Sequence, residues 1–229
     1  MNLDGFALPV KKLKGTDPVE MLDLSWKILG VASSVVIASL ISVNGALTVT
    51  NLLGNQLDAE SAKMLAEVAK QKGISLCGIQ RDQTTADLSG HALQPPDAIL
   101  LASDLSQAVV TGALTSLDLS NNALCGVAKD PFGAGLSGTY TAEGITAIAD
   151  ALRVNGALTV TNLLGNQLDA ESAKMLAEVA KQKGISLCGI RRDQTTADFR
   201  DKDLKPPDAI LLASDLSQAV VTGALTKIE

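Results

Sequence analysis

Three cysteines and one histidine are the side chains of this sequence best suited to covalent catalysis or transition-metal binding. Cys77 and Cys188 occupy equivalent positions of a duplicated block, and Cys125 lies between the copies. A thiol becomes a nucleophile when a neighbouring base or cation lowers its pKa, and the single histidine, His91, would have to form any such pair. The cysteine spacing fits neither a zinc site nor a disulfide framework. We therefore expect reduced, unreactive thiols, a structural histidine, and no catalytic, metal or cofactor site.

Two further patterns imitate ligand-binding motifs. Residues 133–138, Gly-Ala-Gly-Leu-Ser-Gly, match the glycine pattern of dinucleotide-binding loops. The loop is much longer than the tight turn that such a site needs, and no Rossmann-type unit surrounds it, so a surface loop is expected. We expect Phe132 and Tyr140 to anchor this insertion, residues 125–140, on its own chain. Four aspartates within 193–203 lack the spacing of an EF-hand loop and are expected to be solvated.

Most of these residues belong to a long internal duplication, whose fold must position them. Residues 43–115 return as residues 154–226 with 7 differences in 73 positions. Six of those differences lie in residues 88–94 and their counterparts, residues 199–205. Our hypothesis is that the copies present different charge to a partner there, and neutral drift at an exposed turn is the alternative. Self-similarity of this kind is typical of repeat arrays.

A shorter unit lies inside the duplication. Residues Leu114–Leu124 fit L-x-x-L-x-L-x-x-N-x-L at every position, which is the signature of a leucine-rich repeat. Alternate side chains of the L-x-L strand point inward, and the asparagine at position nine can satisfy buried backbone groups where the chain leaves the strand. The same spacing predicts one domain over 1–229, with an N-terminal cap over 1–18. Units are expected to start near 19, 47, 83, 114, 158 and 194, with a truncated unit from 225.

A helix is predicted after each strand. Residues 58–73 open on an aspartate N-cap, carry alanines and a leucine at i, i+3, i+4 and i+7, and end on Gly73. Pro95 and Pro96 start the next helix, which is expected to run to about Thr111 and stop at Gly112. Thr141 is expected to cap a helix that ends before Gly156. Two apolar segments, around 76–79 and 187–190, precede the weaker units, and the sequence leaves open whether they form strands or loops.

The combination of strand and full helix in about 28–29 residues resembles the ribonuclease-inhibitor-like subclass of leucine-rich repeats, which also occurs in NOD-like receptors and Ran GTPase-activating proteins. The resemblance covers nearly the whole chain. It implies an α/β solenoid shaped as a horseshoe, with a parallel sheet on the concave face and helices on the convex face. The family shares architecture rather than chemistry, so it implies little about function.

Composition restricts the partner class. The formal net charge of −6 argues against nucleic acid. The most apolar run, residues 31–43, is too short to cross a bilayer and is expected to be a packed helix. The N-terminus lacks the basic region of a signal peptide, and together with the expected reduced thiols this indicates a cytoplasmic protein.

Outward strand positions are the remaining candidates for binding. In the templates these positions form a mildly acidic, hydroxyl-rich face with a single tryptophan, and tryptophan is enriched at binding hot spots. The candidate partner-binding residues on this face are Asp23, Trp26, Asn51, Asp87, Asp118, Asn121, Asn162, Asp198, Arg200 and Asp201.

Three functions follow from this face and this architecture. The principal prediction is a non-catalytic scaffold that binds a protein on the concave face. One alternative is a fragment of a longer array that self-associates through its C-terminal end, since solenoids need polar caps. A second alternative is a regulator of a small GTPase, for which Arg81, Arg191 and Arg192 are the candidate residues.

Overall fold

The computed structural model of the chain describes residues 1–129, 135–200 and 202–229. It is a mixed α/β structure in which short parallel strands alternate with helices. The strands are β1 (Asn2–Leu3), β2 (Phe6–Ala7), β3 (Met21–Asp23), β4 (Val49–Asn51), β5 (Thr85–Asp87), β6 (Ser116–Asp118), β7 (Val127–Lys129), β8 (Leu136–Gly138), β9 (Val160–Asn162), β10 (Thr196–Ala197) and β11 (Lys227–Ile228). The helices are α1 (Val10–Lys14), α2 (Val31–Ser42), α3 (Ala59–Lys72), α4 (Pro95–Leu105), α5 (Ala108–Thr111), α6 (Glu143–Val154), α7 (Ala170–Lys183), α8 (Pro206–Leu216) and α9 (Ala219–Thr222).

The predicted parallel pairing is present, but it is divided among small sheets. Strand β3 pairs with β4, β6 pairs with β5 on one side and β9 on the other, and β10 pairs with β11, all in parallel. Strands β1 with β2, and β7 with β8, form antiparallel pairs. Longer helices contact one another in chain order, from α2 to α3, α4, α6, α7 and α8.

The two extra apolar segments are the reason for the division. Ser75 bridges Val49 in parallel, but Cys77 bridges Asn51 in the antiparallel sense, because the chain reverses at Gly78 with φ +76°. The segment therefore covers the edge of β4 without forming a strand that β5 could pair with. The second copy repeats this arrangement beside β9, where Ser186 and Cys188 make the equivalent bridges.

Inward strand positions and one face of each helix form a continuous aliphatic core. Leu117 is fully buried on β6, as are Leu52 and Leu163 directly after β4 and β9, and Leu65 and Leu176 are fully buried on helices α3 and α7. Helix α3 has the predicted ends: the Asp58 carboxylate accepts a hydrogen bond from the backbone N–H of Ser61, and Gly73 adopts φ +65°.

One predicted helix is broken. The helix from Pro95 ends at Leu105, and a separate turn, α5, begins at Ala108. Side chains take carbonyls that a continuous helix would use, since Ser106 Oγ and Gln107 Nε2 both donate to the carbonyl of Ser103. Helix α6 ends before Gly156 as predicted, but it begins at Glu143, and Thr141 Oγ1 accepts from the backbone N–H of Glu143.

Asparagines at template position nine link consecutive units. The Asn55 side chain donates to the carbonyls of Leu24 and Leu52 and accepts from the N–H groups of Lys27 and Leu29. The turn at Lys27, where the template asparagine is missing, is thus held by the asparagine of the next unit. Asn122 holds the turn after His91 in the same way, by accepting from Leu93 N–H.

Candidate functional site

The outward polar residues form a row across the strands. Asp23 is the register partner of Asn51, and Asp118 is the register partner of both Asp87 and Asn162. Strand neighbours such as Leu117 are buried, so alternation along each strand turns the polar side chains to the opposite face. We call this row and the side it occupies the sheet face.

A cleft of about 210 Å³ opens on the sheet face where the strand pairing is interrupted, between β9, the segment 185–190 and β10. Four of the predicted residues line it together, namely Asp118, Asn121, Asn162 and Asp198. The other lining residues are Ser120, Leu164, Gly165, Cys188, Gly189, Ile190, Gln194, Ala197, Phe199 and Lys202. The template places Ser120, Leu164 and Gly165 of this second group at outward positions, but none of the group was chosen as a candidate, although the extra apolar segment that supplies three of them was visible in the sequence.

Hydrogen bonds fix the polar wall of the cleft. The Asp118 carboxylate accepts from Asn162 Nδ2 at 3.1 Å and from the backbone N–H of Ser120 at 2.9 Å. Asn162 Oδ1 in turn accepts from the backbone N–H of Leu164. The wall is therefore ordered before a partner binds, which reduces the entropy cost of association.

The first copy has a related depression of about 370 Å³, which contains the predicted residues Asp23 and Asn51. Its remaining lining residues are Met21, Leu22, Val49 and Gly78, so it is less polar than the cleft. Ser25 donates to the Asp23 carboxylate through both its hydroxyl and its backbone N–H, and these bonds lower the pKa of Asp23.

Trp26 lies at the edge of the sheet face and is 52% exposed. It has φ +58°, and its indole packs so closely over Gly54 that a Cβ at that glycine would overlap the ring. The indole therefore makes an internal contact and still presents about half of its surface to a partner.

Charged residues of the second copy pair internally. Arg200 Nη2 lies 2.7 Å from both Asp198 Oδ2 and Glu229 Oε2. Hydrogen bonds from Arg200 lower the pKa of Asp198 to about 2. Asp87, in the first copy, instead accepts from the hydroxyl and backbone N–H of Ser89. The predicted residue Asp201 lies outside the described residues.

The charged residues that distinguish the second copy from the first also contact the insertion. Asp203, which replaces Ala92 of the first copy, forms an ion pair at 2.6 Å with Lys129 of β7 and a second one with Lys205. These side chains are about half exposed, so the pairs contribute little to stability. They place the β7–β8 hairpin against the turn that follows β10.

The insertion is anchored as expected from Tyr140. The Tyr140 hydroxyl lies 2.7 Å from Ser172 Oγ at the start of α7. Gly126 and Gly138 allow the close approach of β7 and β8, because a Cβ at either glycine would overlap a backbone carbonyl oxygen. Phe132 and the first residues of the glycine motif lie outside the described residues.

A buried carboxylate accepts hydrogen bonds from each of the two extra apolar segments. Asp104 of α4 accepts from Ser75 Oγ at 2.7 Å and from the backbone N–H groups of Leu76 and Cys77. Asp215 of α8 makes the same contacts with Ser186, Leu187 and Cys188 beside the cleft. Burial raises the pKa of Asp104 to about 6 although these hydrogen bonds favour its ionised form.

The raised pKa of Asp104 predicts a pH-dependent stability. The unfolded carboxyl has its ordinary pKa of 3.8, so the folded chain binds more protons between pH 3.8 and about 6, and this contribution to stability falls as the pH rises through that window. The pKa difference corresponds to roughly 3 kcal/mol. Relative to Asp104→Asn, whose side chain does not titrate, we expect the wild-type free energy of unfolding to fall by about this amount between pH 4 and 7. Urea denaturation of both proteins at each pH measures it, and a difference that is constant with pH would contradict the assignment.

The side chains best suited to catalysis are three buried thiols and one exposed imidazole. Cys77, Cys125 and Cys188 are free, buried thiols, and burial raises the pKa of each one. His91 is exposed, with Nδ1 at 2.7 Å from the carbonyl oxygen of Ser89. Among the described residues no group of three or more His, Cys, Asp or Glu side chains is arranged to hold a metal ion.

Two of the three arginines proposed for GTPase regulation contact the C-terminal ends of helices. Arg81 donates to the carbonyl of Gly73 after α3, and Arg192 donates to the carbonyl of Gly184 after α7. Both contacts satisfy carbonyl groups that a helix C-terminus leaves free. Arg191 is exposed.

No known protein family matches the sequence, and no curated protein is significantly similar to it. Within the described residues, the structure contains no helix with the length and apolar character needed to cross a bilayer.

Proposed function

We propose that the chain is a non-catalytic, cytoplasmic leucine-rich-repeat scaffold that binds a protein partner on its sheet face. In this proposal the strands line the concave face of a solenoid and the helices cover the convex face. Parallel register between strands of consecutive units, and asparagines that link those units, support the architecture. Buried free thiols support a reducing compartment.

One observation carries the binding proposal. Asp118, Asn121, Asn162 and Asp198 come from three different units, yet they line a single cleft together with exposed or partly exposed groups such as Phe199. Interface hot spots lie in pockets from which the surrounding contacts exclude water. The cleft offers such a pocket, and the helices carry the charged, solvated face opposite to it.

Affinity capture from the protein's own cells tests this proposal with matched variants. Asn162→Arg fills the cleft, Asn51→Arg makes the same change at the register-equivalent position of the first copy, and Lys174→Glu alters the exposed face of α7. Quantitative mass spectrometry is expected to find a partner whose recovery falls at least about tenfold with Asn162→Arg, as for loss of a hot spot. Recovery should be unchanged with Lys174→Glu.

Thermal melting of each variant separates loss of binding from loss of folding. A partner that is lost with Lys174→Glu but retained with Asn162→Arg would place the binding surface on the helices and contradict the proposal. Failure to find any protein that depends on the cleft would also contradict it.

Self-association with a second copy through α8 and β11 is a second candidate function. Leu105 of α4 is 1% exposed because α6 covers it, whereas its duplicate Leu216 on α8 is 42% exposed. The duplicates of buried Ala98 and Ala102, namely Ala209 and Ala213, are exposed as well. Multi-angle light scattering of the wild type and Leu216→Glu tests this candidate. A concentration-dependent dimer that is lost in the variant supports it, and a monomeric wild type contradicts it.

A further inference from the structure

Two carboxylates of the sheet face stand side by side without a cation. Asp87 of β5 and Asp118 of β6 are register partners on neighbouring strands, which are about 4.8 Å apart in a sheet. Like charges at such positions are destabilising. Among the described residues, neither carboxylate forms a salt bridge with a cationic side chain. The hydrogen bonds from Ser89 lower the pKa of Asp87, so that carboxylate is ionised at neutral pH.

The second copy contains the same pair with its cation in place. A shift of 111 residues maps Asp87 to Asp198, Asp118 to Glu229 and Ser89 to Arg200. The backbone frame is the same, since Leu88 N–H donates to the Asp118 carbonyl at 2.8 Å and Phe199 N–H donates to the Glu229 carbonyl at 2.7 Å. There the guanidinium of Arg200 contacts both carboxylates at 2.7 Å.

The first copy therefore has the carboxylates of this arrangement but lacks its guanidinium. Ser89 occupies the position of Arg200, and its hydroxyl contacts only Asp87 among the described residues. His91 contributes to the charge around Asp87, and its ring contacts the Ser89 carbonyl oxygen rather than either carboxylate.

A nearly buried hydroxyl beside Asp118 provides a second, independent observation. Ser120 is 7% exposed and lines the cleft. The hydroxyls of Ser25 and Ser89 each donate to the aspartate two residues earlier at 2.7 Å, but Ser120 contacts Asp118 only through its backbone N–H. Its Oγ makes no hydrogen bond with the described residues and is available to a ligand that reaches Asp118 from the cleft, which Asp118 lines and Asp87 does not.

We propose that Asp87 and Asp118 bind the guanidinium of an arginine side chain presented by the protein partner. This inference rests on the proposed function, since it assumes that the sheet face binds protein. A guanidinium offers five N–H donors in one plane, so it can bridge two carboxylates and still donate to a hydroxyl such as that of Ser120. A lysine ammonium is a compact point charge and fits such a bridge less well.

The test uses short, terminally blocked peptides with a single central arginine, citrulline or lysine. Binding is followed by the carboxylate ¹³C signals of aspartate and glutamate in the full chain at low salt. We expect the arginine peptide to shift the Asp87 and Asp118 signals saturably, and to bind at least about tenfold more tightly than the uncharged citrulline peptide. Equal binding of the citrulline or lysine peptide, or no saturable shift with arginine, would overturn the proposal.

Two reciprocal variants exchange the residues that the two copies have at the position of Ser89 and Arg200. Ser89→Arg supplies the guanidinium internally, as Arg200 does, and is expected to weaken arginine-peptide binding at Asp87 and Asp118 at least about tenfold. Arg200→Ser removes the guanidinium from the second pair, where Lys227 still contacts Glu229, and is expected to create a new response at Asp198. Because each variant reproduces a residue already present in the other copy, both are expected to fold, and a Ser89→Arg protein that binds the peptide unchanged would refute the site.

The outcome is separable from that of the proposed function. If Asn162→Arg abolishes capture of a partner while the arginine peptide does not bind the wild type, the scaffold function stands and the guanidinium site fails. If the peptide binds as expected but no partner depends on the cleft, the site stands and the proposed location of the partner fails.

Discussion

Replacing Leu105 with alanine is expected to destabilise the protein by about 3 kcal/mol, whereas the same change at its duplicate, Leu216, is expected to cost less than about 1 kcal/mol. The two residues end identical helices, α4 and α8. Leu105 is 1% exposed because α4 is enclosed by α3 and α6, but Leu216 is 42% exposed. Truncation of Leu105 leaves a cavity, while truncation of Leu216 mainly removes surface that already contacts water. Urea denaturation of both variants, followed by circular dichroism, measures the difference.

The comparison is informative because the local sequence is constant. Residues 95–105 and 206–216 are identical, so helix propensity and the two prolines at the helix N-terminus contribute equally to both helices. These contributions cancel when the two variants are compared. Only the packing of α6 on one side distinguishes the two sites. Equal destabilisation by the two substitutions would mean that α6 does not cover α4 in solution.

The regular units could be predicted because they depend on local rules. Alternation in the leucine template fixes which strand residues are buried, and Asp58 with Gly73 fixes both ends of α3. The break between α4 and α5 was not predictable in the same way. It depends on Ser106 and Gln107, whose side chains compete for a backbone carbonyl only in the folded geometry.

The division of the sheet could not be predicted from periodicity. Residues 74–79 are as apolar as a strand, but Ser75, Leu76 and Cys77 donate hydrogen bonds to the buried Asp104, which lies 27–29 residues further along the chain. A contact over that distance leaves no local pattern. The cleft arises from this division of the sheet. Some of its lining residues could be predicted from the sequence, but its position could not.

The candidate residues were predicted individually but not as one site. Asp118, Asn121, Asn162 and Asp198 follow from template positions, and the structure brings them to one cleft. Asp23 and Asn51 lie in a separate depression, and Trp26 packs on Gly54. The pairing of Arg200 with Glu229 was missed because the two residues are 29 positions apart and follow strands whose register the sequence does not state.

The second large effect is expected at the linking asparagines. Asn55→Ala should destabilise the protein by about 3 kcal/mol, because it leaves the carbonyls of Leu24 and Leu52 and two backbone N–H groups without their partner. Its duplicate, Asn166, donates to the carbonyls of Leu119 and Leu163, but its buried Oδ1 has no partner. Asn166→Ala is therefore expected to cost about half as much, since it also removes an unsatisfied buried oxygen.

Denaturant unfolding of the two alanine variants tests this difference between copies of one sequence. The insertion that precedes the second copy changes the turn against which Asn166 packs, where Cys125 Sγ donates to the Asn166 carbonyl instead. Asn166 thus still donates to two carbonyls, but its Oδ1 lacks the two backbone N–H donors that bond to Asn55 Oδ1. A larger loss of stability for Asn166→Ala than for Asn55→Ala would contradict this account. It would show that burial of the amide, rather than the number of hydrogen bonds it makes, determines its contribution.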